Sequence, residues 1–271
     1  MQGSLYDFAK LPIPGKATWR RGARLTAGAF AAATMALSAP SAFAGCKDEP
    51  KAGVDWSECQ KTRLMLGGSD LSGGTFEQTF FTSTDLRGAN LAGADLTRAE
   101  FSNASLAGAD LSGANLEKAA ATRADFSGAN LSKANMAGAE FSRTSFKRAN
   151  LAGVEFNASE MNRSDFTEAD LTGANMAKAE LARVVLTDAV ISGVSFSFSN
   201  LARADLGGTD LEEADLTGAY MFLTRIAGAD LSRTKGLTQG QLDIACGSAE
   251  TQLPEGLSAS ASWPCPDYDE G

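Results

Sequence analysis

The chain of 271 residues carries 24 basic and 33 acidic side chains, a net charge of −9, with an ordinary apolar share of 44% and no histidine. Without His it lacks the commonest general base and metal-ligating side chain. Its length allows one large domain or two ordinary ones, and its acidity disfavours nucleic acid and anionic lipid as partners.

Residues 1–44 read as an export signal rather than as folded structure. Lys10, Lys16, Arg20, Arg21 and Arg24 give a basic leading region, followed by the apolar run "LTAGAFAAATMAL". That run is too short to span a bilayer stably. Ala42-Phe43-Ala44 has the small-x-small form cut by a signal peptidase, so cleavage after Ala44 is expected. The mature chain would then be periplasmic or secreted, with no transmembrane span. Arg20-Arg21 hints at twin-arginine export, but the following "GARL" fits that pattern poorly, so the route stays open. Losing five basic residues and Asp7 leaves 19 basic against 32 acidic, a net of −13.

Residues 45–68 are assigned to an N-terminal cap. All four cysteines, Cys46, Cys59, Cys246 and Cys265, follow the leader, two near each end. An even count in an exported chain favours disulfides, and the simplest pairing is Cys46–Cys59 with Cys246–Cys265. The alternative takes "FAGC" as a lipoprotein signal, with the chain anchored at Cys46. Lipidation would leave Cys59 unpaired.

From Leu71 to Leu231, every fifth residue is large and apolar, 33 positions with Ala121 the one small member. Two residues before each stands a small one, such as Ala89, Ala94 or Ala99. The other three positions are mostly polar, charged or Gly. A period of five fits neither regular element. On a helix the large residues would spread over every side, and on a strand they would alternate faces. The beat works if the chain turns a corner every five residues. The large residue then sits mid-side and points inward, the small one shares that direction, and a Gly after the large residue suits a tight turn.

Ala109-Asp110-Leu111-Ser112-Gly113 and its neighbours resemble the pentapeptide-repeat family over about 69–233. The resemblance implies an all-β solenoid, a right-handed quadrilateral parallel β-helix with four pentapeptides per coil and about eight coils. Val54, Trp56 and Leu66 already follow the register, which suggests an irregular opening coil lidded by Trp56 and stapled at Cys46.

Residues 234–271 are read as a C-terminal capping helix and tail. Thr238 is a good N-cap, "QGQLDIAC" reads as a short helix, and Gly247 stops it. Leu242 and Cys246 would cover the last coil, and the tail would be tied back at Cys265.

Residues twenty apart should stack. Arg123, Arg143, Arg163, Arg183 and Arg203 then form a five-rung basic ladder. Glu100, Glu140, Glu160 and Glu180 stack on the same side, and Asp125, Asp165 and Asp205 lie around the corner. The plain reading is a solvated face of interleaved charge. The functional reading is an interaction strip for an unknown protein or an acidic glycan. Outward Phe198, Tyr220, Phe222 and Leu223 should cluster near the C-terminal end, either covered by the tail with Trp263 or used in a homodimer contact.

No nucleotide loop, metal-ligand spacing or nucleophile–base pair is present, so no catalytic residue and no cofactor are assigned. The expectation is an exported, non-catalytic scaffold presenting a charged rod surface to a partner. The alternative comes from the resemblance. One branch of the family has acidic dimeric rods that resemble B-DNA and bind DNA gyrase, so the chain would act as a DNA-mimicking inhibitor. A lipid-anchored envelope protein is the third reading.

Overall fold

A computed structural model describes residues 44–265, which lie within one compact unit. The expected leader, 1–44, falls outside the described residues except for Ala44, as do the last six residues of the tail.

From residue 51 to residue 235 the backbone repeats one unit. A small inward residue is followed by an outward residue in a β-bridge, then a large inward residue, then two residues of turn. Parallel bridges join residues twenty apart, from Asp55↔Thr75 to Asp215↔Lys235. Twenty residues therefore close one coil with four corners. The bridges are isolated single residues, because a corner arrives before a longer strand can form. The regular pattern also starts one coil earlier than 69: Asp55, Gln60 and Met65 already bridge to the next coil, where an irregular opening was expected.

The backbone hydrogen bonds of one unit show why the beat is stable. Asp110 N–H donates to the Ala89 carbonyl in the coil before, at 2.9 Å, and Leu111 N–H to the Asn130 carbonyl in the coil after, at 2.7 Å. Gly113 N–H reaches the Ser132 carbonyl at 2.9 Å, and Ala114 N–H closes the turn on Leu111 at 3.0 Å. Only the Ser112 N–H lacks a backbone acceptor, and it donates to Asp110 Oδ1 at 3.0 Å. Asp and Asn prevail at the outward bridging position for this reason: each caps its own corner. Ser57 keeps Asp55, and Ser72 keeps Asp70, below the ordinary Asp value. Hydrogen bonds from Arg87 bring Asp85 to about 2.

Every large residue of the five-beat from Leu71 to Leu231 is buried, Ala121 included. Each such apolar side chain contributes about 1.5–3 kcal/mol by burial. Phe126, Phe146 and Phe166 stack along one column with ring centroids 5.4 and 5.0 Å apart. Beside Ala121, Phe126 meets Phe101 at 6.3 Å and Phe141 at 5.5 Å, so rings from an adjoining column close the gap.

Both ends are capped, as an open solenoid core requires. At the start, Lys61 occupies an inward position with only 6% exposure. Its ammonium lies 3.5 Å from the Trp56 ring centroid and donates to the Cys46 carbonyl at 2.8 Å. Burial lowers its pKa, opposed by Asp48 and Glu49. Cys46 bonds to Cys59. At the far end, helix α1 (Gln239–Ile244) begins with a Thr238–Gln241 capping box. Buried Gln241 donates to the carbonyls of Leu216 and Ala219, and Leu242 seals the core. The helix stops before Cys246, which instead bridges to Arg225 and continues the ladder. Cys246 bonds to Cys265, and Trp263 donates to the Ala245 carbonyl at 2.7 Å.

Candidate functional site

The second turn residue of every unit from Gly53 to Gly228 has a positive φ. Backbone in this left-handed region costs a side chain about 1–2 kcal/mol, a penalty glycine escapes. The four corners of the coil treat that cost differently. Two of them hold 13 of the rod's 15 positive-φ glycines and a third holds only Gly138 and Gly218. The fourth holds none: it reads Arg63, Ser83, Asn103, Arg123, Arg143, Arg163, Arg183, Arg203 and Leu223, all at φ between 54° and 61°. The five-rung ladder stands on this corner. Side chains are kept there, as at seven of the nine positions of the corner before it, against a backbone preference that the other two corners largely follow.

What the ladder gains in return is not found within the described part of the chain. Among the described residues no carboxylate lies within ion-pair distance of Arg123, Arg143, Arg163, Arg183 or Arg203, and no side-chain hydrogen bond holds them. Four of the five are exposed and Arg183 is half-buried. The acids expected to interleave with them are engaged elsewhere. Asp125 accepts from Ser127 N–H at 3.0 Å. Asp165 accepts from Thr167 and pairs with Lys147 at 3.0 Å. Asp205 accepts from Gly207 N–H and lies 3.9 Å from Arg225. The charges thus share a face without pairing on it.

The side of the coil that leads into this corner carries, one above another, Phe80, Glu100, Ala120, Glu140, Glu160, Glu180, Asn200 and Tyr220. Glu140, Glu160 and Glu180 point outward and are exposed. Glu180 accepts from Asn200 at 2.7 Å, whereas Glu140 and Glu160 have no partner among the described residues. Near the C-terminal end Tyr220 and Phe222 stack at 6.2 Å, exposed by 52% and 41%. Phe198, 65% exposed, lies over Gly218 at the preceding corner, and Leu223 is half-buried, its N–H bonded to the Ile244 carbonyl. Trp263 packs against Gly247, so the described tail leaves Tyr220 and Phe222 uncovered.

Among the described residues there is no group of three metal-ligating side chains and no helix long and apolar enough to cross a membrane. A shallow open depression between Asp85, Ser105 and Asp125 follows from the small Ser105 between two Asp rungs. The Asx bonds of the corners and the cationic cap at Lys61 were not foreseen from sequence. Both lie in polar residues whose partners are backbone groups, two residues on for the Asx bonds and 15 residues back for Lys61.

Two family models match the chain: one described as "Pentapeptide repeat region" over residues 139–216, and one as "Pentapeptide repeats (8 copies)" over 66–103, 99–138 and 199–235. Among curated proteins none matches. Among solved structures, QnrB1, a plasmid-mediated fluoroquinolone resistance protein, is 19% identical over 72% of this chain and 92% of its own, with a TM-score of 0.50. HetL, a pentapeptide repeat protein involved in heterocyst differentiation regulation from the cyanobacterium Nostoc sp. strain PCC 7120, is 26% identical over 77% of this chain and 92% of its own, with a TM-score of 0.33. A pentapeptide repeat protein from the Arabidopsis thaliana thylakoid lumen is 34% identical over 44% of this chain and 68% of its own, with a TM-score of 0.28. The likeness to QnrB1 extends to the fold and no further.

Proposed function

Because the chain belongs to the pentapeptide-repeat family, we propose that it is an exported, non-catalytic scaffold. Its glycine-free corner, Arg123 to Arg203, is the surface that meets a partner. The observation that carries this reading is the set of five unpaired guanidiniums held at left-handed backbone positions. Coils spaced about 4.8 Å apart make the strip about 19 Å long. Guanidinium rows at that spacing suit a partner with regularly placed anions, either carboxylates on a protein or an acidic glycan. Export is supported by the basic leader, the Ala42-Phe43-Ala44 site and cysteines paired near both ends. The pairing of Cys46 with Cys59 also disfavours a lipid anchor on Cys46. A DNA-mimicking inhibitor draws on the net charge of −9, but a basic corner interrupts the acidic surface that such mimicry requires.

Heparin, a sulfated glycan, serves as a probe. Despite its net charge of −9, the protein should be retained on immobilised heparin at low salt. A variant with all five ladder arginines changed to Gln should flow through with its melting temperature unchanged. Equal elution of the two proteins would refute the strip as an anion-binding surface.

A further inference from the structure

The acid column and the basic corner run side by side, and three consecutive coils carry a member of each: Glu140 with Arg143, Glu160 with Arg163, and Glu180 with Arg183. Within one chain the two columns do not pair. Each column also repels itself, since its like charges stand only one rung apart. From these observations we propose that the anionic partner is a second copy of the chain, lying beside the first with both rods pointing the same way.

The geometry follows from a two-fold axis parallel to the rod, placed between the Glu column and the Arg corner. Such an axis exchanges the two columns and leaves the level along the rod unchanged. Glu140, Glu160 and Glu180 of one copy then face Arg143, Arg163 and Arg183 of the other, and the reciprocal pairs form at the same three levels. Because both copies have the same coil rise, one pair in register sets all of them in register. Below this block Ala120 faces Arg123, and above it Asn200 faces Arg203, so the ladder ends on neutral partners. At the C-terminal end the same operation sets the exposed Tyr220 against Phe222, and Phe222 against Tyr220, where mutual burial removes an uncovered aromatic pair from water. An antiparallel arrangement of the same faces fails, because a two-fold axis perpendicular to the rod in the contact plane sets Arg against Arg and Glu against Glu. The contact is a narrow strip, below the area of a standard interface, so the dimer should be weak and salt-sensitive.

The inference rests on the reading of the corner as a binding surface, and a charge-exchange experiment separates the two. One variant carries E140R, E160R and E180R, and a second carries R143E, R163E and R183E. All six positions face outward, so both variants should melt close to wild type. In sedimentation velocity at sub-millimolar concentration and low salt, wild type should form a dimer. Each triple variant alone should associate at least about tenfold more weakly, because six attractions become six repulsions. An equimolar mixture of the two variants should recover the dimer. A monomeric wild type, dimers in either variant alone, or a monomeric mixture would each overturn the proposal. Heparin retention reports separately on the corner: the Glu→Arg variant should be retained at least as strongly as wild type while failing to self-associate. Loss of self-association pairing together with normal heparin retention in wild type would remove the second copy as partner and leave the anion-binding strip in place.

Discussion

At Arg163 the backbone φ is 61°, and among the described residues no carboxylate or side-chain hydrogen bond holds the guanidinium. The left-handed penalty should therefore be recoverable. Arg163→Gly is expected to stabilise the protein by about 1 kcal/mol, raising the melting temperature by about 2–4 °C for a chain of this size. A lower melting temperature would mean that the side chain supports the fold and that the corner is structural. The same residue shows what sequence can and cannot reveal at this scale. Where Gly follows the large residue, as at Gly113, the positive φ is legible in advance. Where Arg follows it, the same conformation is concealed, because Arg favours no such region. Asp110 is similar. Its outward place is evident from the period, but its bond to the Ser112 N–H depends on a turn geometry that leaves one donor without a backbone acceptor. At Lys61 a cation interrupts the apolar series, and the carbonyl of Cys46, the ring of Trp56 and the nearby Asp48 and Glu49 make its burial tolerable.

Between the residue and the rod stand the two caps, and they meet different demands. The N-terminal cap covers the core with Trp56 and a cation. The C-terminal cap must satisfy the outward carbonyls of a final coil that has no coil beyond it. Helix α1 does so with a side chain: Gln241 supplies the donor that the Ala219 carbonyl would otherwise receive from a following coil, and adds a second to the Leu216 carbonyl, which already accepts the Ala219 N–H. Gln241→Ala should leave the Ala219 carbonyl buried without a partner and remove half of the capping box, at a cost of about 1–3 kcal/mol, while the Leu216 carbonyl keeps the Ala219 N–H. Hydrogen exchange locates the effect. The amides of Leu223 and Ile226, bonded to the Ile244 and Cys246 carbonyls, should exchange faster, while that of Leu111 at mid-rod stays protected. Uniformly faster exchange would show instead that the cap governs the rod as one cooperative unit. Sequence located this helix from Thr238 and the short apolar pattern after it. It ran the helix on to Cys246 because the claim of Arg225 on that residue arises from the coil beneath, 21 positions earlier.

For the whole molecule, fold and function depend on different periods. Burial needs only the beat of five, since every unit presents the same inward pair. The strip needs the beat of twenty, since only that spacing keeps one corner above another. A solenoid whose stability is a sum of repeats and their nearest-neighbour contacts should allow the two to be separated. Removing residues 152–156 joins Leu151 to Asn157 and leaves the five-beat unbroken. Every later unit moves back one corner, so Arg163 comes to stand over Gly138 rather than Arg143, and the ladder divides into two and three rungs on neighbouring corners. Removing residues 152–171 instead joins Leu151 to Thr172. It deletes a whole coil, Glu160 and Arg163 included, but keeps the remaining columns aligned. If the strip works as a continuous row, the shorter deletion should be the more damaging to heparin retention and to self-association, although it removes no ladder arginine. Both shortened rods should still unfold cooperatively, within a few degrees of each other. Equal binding by the two deletions would show that the arginines act singly, as scattered surface charge, and that their alignment along one corner has no part in recognition.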